Sequence, residues 1–249
     1  MTEQERAMYQ LHFRLPRMRR RITEAEAAIS EWLSRCQRPY VAWSTGKDST
    51  VMLWLVLRQR PDIEVVYFDA DSALPDSVAL MERLKAEWQL NLRVLKTRPL
   101  LDTLAEYGLD HPRIDYYTMR DTVHIPVRQL VAEGYDGVAV GIRSEESRER
   151  GLAAAKYAPL WRAKGTGLWT CWPLHNWSAR DVWAFIVGHD LPYNAAYDKT
   201  KFATIEDMRV SYWAGETGRT YGRYAWLRYY YPELWRELVD RIPSAGHYG

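Results

Sequence analysis

The stretch YVAWSTGKDSTVMLWLVL, residues 40–57, holds a polar turn between two apolar runs. The first run, residues 40–43, is typical of a buried strand, and the second, residues 51–57, is typical of a helix packed against it. The N-terminus of such a helix offers unpaired N–H groups and a partial positive charge, so anions bind there. The stretch therefore predicts a phosphate-binding turn, whose residues are Ser44, Thr45, Gly46, Lys47, Asp48 and Ser49.

The residue types in the turn fit this interpretation, and a simple capped turn with a solvated lysine is the alternative. Gly46 lets the backbone approach a ligand closely, and Lys47 adds a full positive charge. Asp48 would repel phosphate unless it caps the helix or binds Mg²⁺, and both roles stay open. The turn is not a Walker A loop, because Val41 and Asp48 stand where that motif has Gly and Ser or Thr.

Strand-like and helix-like patterns alternate through most of the chain. Alternation at this spacing predicts an α/β fold with a parallel sheet and helices on both faces, in which ligands bind beyond the carboxyl ends of the strands. Helices are predicted at 23–34 (with Thr23 and Glu26 as a capping box), 47–59, 75–88, 118–133 and from Ser178, with Asp181 as its capping partner; strands are predicted at 39–44, 63–69, 91–97 and 135–142.

Length and composition predict one soluble, cytoplasmic domain spanning residues 1–249. It divides into an N-terminal helical arm (1–35), a nucleotide-binding core (36–198) and a helical or loop tail (199–249). The N-terminus lacks the apolar stretch of a signal peptide, and no apolar run is long enough to span a bilayer, so no membrane partner is expected.

The charge balance, 34 Lys and Arg against 32 Asp and Glu, does not point to any partner for the whole chain. One local basic cluster near the N-terminus could contact DNA phosphates, and a solvated arm is the alternative. The cluster consists of Arg14, Arg17, Arg19, Arg20 and Arg21.

The turn S-T-G-K-D-S resembles the PP-loop, S-G-G-K-D-S, of the N-type ATP pyrophosphatases and phosphoadenylylsulfate (PAPS) reductase-like proteins. Thr45 stands where the family has its first glycine, which argues against a requirement for positive φ at that position. The remaining Ser-x-Gly-Lys-Asp-Ser frame is intact.

The segment YFDADSALPDS, residues 67–77, resembles the family segment D-T-G-x-x-x-P-E-T, which lies near the nucleoside. Its Asp69, Pro75, Asp76 and Ser77 fit the pattern, whereas Ala70 and Asp71 replace Thr-Gly. The resemblance implies that Asp69 and Asp71 reach a ribose or the adenine edge. An ordinary capped loop is the alternative.

The segment GIRSEESRER, residues 141–150, resembles the signature G-x-R-x-x-E-S-x-x-R of PAPS reductase-like proteins. Arginine suits phosphate and sulfate oxygens, and the glutamate could hold an arginine or bind a metal. A solvated helix face of mixed charge is the alternative. The matching residues are Gly141, Arg143, Glu146, Ser147 and Arg150.

The segment 172–198 also resembles a family segment, P-L-x-x-W-[ST]-x-x-D-V-W-x-[YF]-I followed by L-P-Y-N-x-x-Y-D. Its interpretation is structural, because Val182, Trp183, Phe185 and Ile186 form a helical stripe typical of a core.

These four motifs cover about residues 36–198 and imply an adenine nucleotide α-hydrolase-like fold with about five strands. They also imply an enzyme that binds ATP, PAPS or adenylyl sulfate (APS) with Mg²⁺. Lys47, Asp48, Arg143 and Arg150 are the catalytic candidates implied. The nucleotide-binding candidates are Ser44, Thr45, Gly46, Lys47, Asp48, Ser49, Asp69, Asp71, Gly141, Arg143, Glu146 and Ser147.

The cysteine content departs from that of reductases in this family. The chain has only Cys36 and Cys171, and the stretch RVSYWAGETG from Arg209 holds no cysteine where reductases carry theirs. Thiol attack needs a thiolate and an iron–sulfur cluster needs several, so no cluster is expected. Cys171 is predicted to be a buried apolar residue, and a persulfide carrier is the alternative.

Three functions stay open. The first is an enzyme that cleaves ATP at the α–β bond and adenylates a substrate, with sulfur from a separate donor protein, as in DNA phosphorothioation. The second is a PAPS or APS reductase, which the missing cysteines disfavour. The third is a non-catalytic nucleotide-binding subunit of a sulfurylase-like complex.

Overall fold

The computed structural model describes residues 1–210 and 222–249. Residues 211–218 of the stretch that begins at Arg209 therefore lie outside the described residues. In chain order the elements are α1 (Glu3–Phe13), α2 (Pro16–Arg35), β1 (Pro39–Ala42), α3 (Lys47–Leu57), β2 (Glu64–Asp69), α4 (Pro75–Glu87), β3 (Asn91–Lys96), α5 (Leu100–Tyr107), α6 (Ile114–Met119), a π turn (Arg120–His124), α7 (Ile125–Ala132), β4 (Gly137–Val140), α8 (Arg148–Tyr157), β5 (Leu160–Arg162), β6 (Trp169–Cys171), α9 (Ala179–Gly188), α10 (Arg223–Tyr230) and α11 (Pro232–Arg241), with short 3₁₀ turns at Ser144–Glu146, Ala195–Asp198 and Pro243–His247.

The sheet has six strands in the order β3-β2-β1-β4-β6-β5. Five of them are parallel, which confirms the predicted parallel α/β fold. β5 is the addition: it pairs antiparallel with β6 at one edge, with Leu160 opposite Cys171. A three-residue edge strand is too short to produce a recognisable alternating pattern.

Alternate residues of the strands point into two separate cores. Val41 and Val65 face the larger core beneath α2, α3 and α9. Tyr40 and Val66 face a smaller core that contains Leu130 of α7. Because both faces of the sheet are covered, the parallel strands read as nearly continuous apolar runs.

α9 is enclosed on all sides, so its burial extends beyond the stripe predicted from the sequence. Residues 181–187 are all buried. The predicted capping box is confirmed, because Ser178 Oγ accepts a hydrogen bond from the Asp181 N–H and the Asp181 carboxylate accepts one from the Ser178 N–H.

Two predicted helices have different bounds. α2 begins at Pro16, so Thr23 lies inside the helix and donates to the Arg19 carbonyl, and the capping box predicted at residue 23 is wrong. Proline is favoured in the first helical turn, which explains the earlier start. The helix predicted at 118–133 begins at Ile114 and is interrupted by the π turn Arg120–His124.

The N-terminal arm is helical and is docked on α9. Tyr9 is buried against Trp183, with ring centroids 6.4 Å apart. His12 Nε2 lies 2.7 Å from the buried carboxylate of Asp181, which also pairs with Arg21. Part of the basic cluster therefore stabilises the docking of α1 and α2, and the division into arm, core and tail stays a prediction.

Within residues 1–210 and 222–249, no helix combines the length and the apolar character needed to cross a membrane.

Candidate functional site

A cavity of about 400 Å³ opens at the carboxyl ends of β1, β2 and β4, where a parallel sheet binds its ligands. One side of it is polar and is formed by the turn before α3, the start of α8 and the beginning of the tail. The other side is apolar. The polar side includes Ser44, Gly46, Asp48, Ser49, Glu146, Arg150 and Arg209, and the apolar side includes Phe68, Ala70, Leu100, Met119, Val123, Val140 and Ile142.

The turn at residues 44–49 is held by its own hydroxyl groups. Ser49 Oγ donates to the Gly46 carbonyl at 3.0 Å and accepts the Ser44 N–H at 3.2 Å. Gly46 is the N-cap of α3, and the described residues offer no acceptor to the N–H groups of Asp48 and Ser49. These two N–H groups belong to the first turn of α3 beside the cavity, as an anion site requires.

The backbone takes a left-handed conformation at two positions where the resembling family has glycine. Thr45 has φ +59°, and Asp71 has φ +52°. The inference from threonine against a positive φ was therefore wrong. Such a conformation is an outlier for a β-branched residue, so the turn keeps the family's backbone shape at an energetic cost.

Lys47 points behind the turn and does not line the cavity. Its side chain is 2% exposed, and its Nζ donates to the Met208 carbonyl at 3.3 Å and lies 3.4 Å from Asp48 Oδ2. The backbone N–H of Lys47 donates to the Tyr197 hydroxyl at 3.0 Å. Burial lowers the pKa of Lys47, which Asp48 opposes. The predicted contact between this ammonium group and a phosphate stays a prediction.

Asp48 connects the turn to the signature segment through Arg143. Arg143 Nε donates to Asp48 Oδ1, and its Nη1 donates to Glu145, which also accepts the Ala179 N–H of α9. Burial raises the pKa of Asp48, but Lys47 and Arg143 outweigh it, and the net pKa is lowered. Arg143 is buried and does not line the cavity, so it holds the turn from behind.

Gly141 allows the signature segment to lie directly against the turn. A Cβ at this position would lie 2.7 Å from the Ser49 nitrogen and 2.8 Å from the Asp48 carbonyl carbon. Real Cβ atoms essentially never come so close to backbone, so only glycine fits without a displacement of α3.

Glu146, Arg150 and Arg209 form the charged rim of the cavity. Glu146 pairs with Arg150, and its carbonyl accepts a hydrogen bond from Arg209 Nη2 at 2.7 Å. Ser147 caps α8 by accepting the Arg150 N–H at 3.2 Å. The structure thus brings Glu146 and Arg150 beside the turn, as predicted from parallel-strand topology, and places Ser147 outside the cavity wall.

Asp69 and Asp71 lie at the end of β2 but outside the cavity wall. Both carboxylates pair with Lys96, Asp69 at 2.8 Å and Asp71 at 2.6 Å. The Asp71 N–H donates to Asp69 Oδ1 at 3.0 Å, which supports the left-handed turn. Their predicted contact with a nucleoside stays a prediction.

The π turn supplies cavity residues that the sequence motifs did not indicate. Met119, Thr122 and Val123 line the cavity. Asp121 in the same turn is buried and accepts the Thr103 hydroxyl at 2.9 Å, which fixes the turn on α5. π turns inside helices recur at functional sites, but no residue pattern in 118–133 announces one.

The described side chains do not fit a magnesium ion held by the protein. Asp48 was the predicted ligand, and its two oxygens face Arg143 and Lys47. No group of three or more His, Cys, Asp or Glu side chains suited to a metal occurs in the described ranges. Mg²⁺ needs oxygen ligands without competing cations.

The fold and the cavity define an α/β protein of the nucleotide-binding, adenylyltransferase-like type. Residues 38–213 match the phosphoadenosine phosphosulfate reductase domain family, and the chain belongs to that family, which confirms the resemblance seen in its motifs.

The curated relatives include reductases of similar length. The phosphoadenosine 5′-phosphosulfate reductase of Xanthomonas axonopodis pv. citri is 30% identical over 185 residues, covering 70% of this chain and 72% of the relative. An uncharacterized protein of Methanocaldococcus jannaschii is 27% identical over 164 residues, covering 64% of this chain, and the match spans only 33% of that longer protein.

Solved structures support the fold. The PAPS reductase of Candida auris superposes with a TM-score of 0.56 at 16% identity, covering 80% of this chain and 92% of that one. The FMN adenylyltransferase of Candida glabrata, in complex with FAD and pyrophosphate, gives a TM-score of 0.53 at 15% identity, covering 73% and 60%.

Proposed function

We propose that the chain is an enzyme that cleaves ATP between its α and β phosphates, releases pyrophosphate and transfers AMP to an acceptor. The observation that carries the proposal is the two-sided cavity, with an anion-binding helix N-terminus facing an apolar wall. Its volume of about 400 Å³ lies within the usual range for small-ligand sites. The adenine packs between Phe68, Leu100 and Val123, and the phosphates extend to the turn before α3.

The leaving pyrophosphate gains negative charge as the α-phosphorus bond breaks and the acceptor atom bonds to that phosphorus. The N–H groups of Asp48 and Ser49, the Ser44 hydroxyl and the Arg150 guanidinium stabilise this charge. The acceptor proton leaves to solvent. Lys47 and Arg143 act from behind by fixing Asp48, and hence the turn.

The two thiols favour this chemistry over thiol chemistry. Cys36 packs against Gly137 at the amino end of β4, the edge of the sheet opposite the cavity, and burial raises the pKa of Cys36 to about 12. Cys171 lies fully buried under α2, and burial also raises its pKa. A thiol with a raised pKa is a poor nucleophile at neutral pH.

Sulfur, where the pathway involves it, is then supplied by a separate donor protein. The sulfur would displace AMP from the adenylated acceptor, as in DNA phosphorothioation. This step needs the donor's persulfide or thiol and uses neither cysteine of this chain.

PAPS or APS reduction is the second candidate, because several 30%-identical relatives bear the name of that reductase. It requires a thiolate beside the cavity, and the chain has no cysteine after Cys171. A non-catalytic nucleotide-binding subunit is a third candidate, which would bind ATP without turnover.

Pyrophosphate release from ATP, with and without candidate acceptors, tests the proposal. Arg150→Ala should lower kcat/KM by about tenfold or more, because it removes a cavity-lining cation. Arg148→Ala is the matched control, since Arg148 is exposed on the same helix and does not line the cavity. Equal activity of the two variants would contradict the assigned role of Arg150.

A further inference from the structure

The segment that follows the signature is strongly basic and rich in aromatic residues. Residues 148–172 contain five Arg or Lys and one acidic residue, although the whole chain has a net charge of only +2. The same segment contains one Tyr and three Trp. It folds into α8 and the β5–β6 hairpin, at the edge of the sheet nearest the rim arginine, Arg150.

Three of these rings form a continuous surface. Tyr157 is 42% exposed, and its ring centroid lies 5.8 Å from that of Trp161. Trp161 lies 4.8 Å from Trp172, edge to face, and both tryptophans are partly exposed. Partly exposed aromatic rings in a row offer faces on which unpaired bases can stack.

Cations surround these rings. Lys156, Arg162 and Lys164 are exposed, and none of them forms an ion pair with the described residues. Lys156 Nζ lies 5.0 Å from the centre of the Tyr157 ring. Cations without acidic partners are suited to contact phosphates.

We propose that this surface, formed by Lys156, Tyr157, Trp161, Arg162, Lys164 and Trp172, binds single-stranded nucleic acid. The combination of stacking rings and a basic track distinguishes this occupant from a simple polyanion and from a duplex, whose bases are already stacked.

The position of the surface connects it to the cavity. Arg150 lines the cavity, and Tyr157 lies seven residues further along α8, about 10 Å along the helix axis at 1.5 Å per residue. A strand held on the rings can therefore present a neighbouring nucleotide at the rim. Its role as the acceptor rests on the proposed function, whereas its binding does not.

Fluorescence anisotropy with a labelled single-stranded DNA of about 16 nucleotides, in the absence of ATP, tests the binding. Tyr157→Ala should weaken it about tenfold, as loss of one stacked base does. The double variant Lys156→Ala, Lys164→Ala should lower the salt slope of log K by about 1.4, or about 0.7 per phosphate contact. Tyr229→Ala and Lys85→Ala, also exposed, serve as controls and should bind like the parent.

The outcomes separate the surface from the enzyme activity. Absence of binding by the parent, equal binding of a duplex or of inorganic polyphosphate, or equal effects of the control variants would overturn the proposed surface. Binding as predicted without pyrophosphate release from ATP would support the surface and defeat the proposed function. Pyrophosphate release without oligonucleotide binding would do the reverse.

Discussion

Thr45 shows how a single residue can keep a family's backbone shape without the family's glycine. Its φ of +59° falls in the left-handed region, and its hydroxyl donates to the Ser44 carbonyl at 2.6 Å. Strain of this kind costs on the order of 1–3 kcal/mol. The conformation is maintained because the neighbouring serine hydroxyls close the turn.

Replacement of this residue by the family's glycine should therefore stabilise the protein. Relief of strain in Thr45→Gly exceeds the entropic cost of glycine, about 0.5–1 kcal/mol, so the free energy of unfolding should rise by about 1 kcal/mol. Thr23→Gly, inside α2, is the control and should lose about 1 kcal/mol. Denaturant unfolding measures both, and destabilisation of both variants to the same extent would refute strain at Thr45.

At the scale of elements, the site depends on the close approach of β4 to the start of α3. Gly141 is the contact point, since any Cβ there collides with the backbone of Asp48 and Ser49. Gly141→Ala should therefore cost about 1–3 kcal/mol of stability, the usual range for overpacking, and should weaken ATP binding. Gly165→Ala is the control, because a Cβ at Gly165 meets nothing within 4 Å. Calorimetric unfolding and ATP titration of both variants check this, and equal behaviour would contradict the close approach.

The tail is fastened to α4 through Asp76. Lys199 Nζ donates to both oxygens of this carboxylate at 2.8 Å, and the Tyr231 hydroxyl donates to one of them. Burial raises the pKa of Asp76, but these hydrogen bonds outweigh it, and the net pKa lies below its usual value.

A lowered folded-state pKa gives stability that is present above the unfolded-state pKa, about 3.9, and is lost as the pH falls through the folded-state value. Asp76→Asn should therefore lose on the order of 2 kcal/mol at pH 7, the range of charged hydrogen bonds, and little near pH 2. Unfolding of parent and variant across pH 2–7 checks this. Asp240→Asn, an exposed carboxylate on α11, is the control and should follow the parent. A difference between parent and Asp76→Asn that does not change with pH would contradict the assignment.

At the scale of the whole molecule, the sequence predicted the sheet and the position of the turn because both depend on local patterns. Apolar runs mark the strands, and parallel topology brings the turn at residues 44–49 and the signature at 141–150 to one edge. The surroundings of Lys47 could not be predicted in this way. Its ammonium group contacts the carbonyl of Met208, 161 residues away in the sequence. Likewise, the π turn depends on the packing of Asp121 against α5, which no local pattern records.

The central claim is ATP cleavage at the α–β bond without a protein thiol, and pyrophosphate release by the Cys36→Ala, Cys171→Ala double variant tests it most directly. Both thiols are buried away from the cavity wall in the described chain, so the double variant should release pyrophosphate from ATP at the parent's rate. Sulfite release from PAPS with thioredoxin, measured on the parent, is the companion assay and should be absent. Sulfite formation by the parent that disappears in the double variant, with no pyrophosphate from ATP in either, would contradict the claim and establish a thiol-dependent reductase.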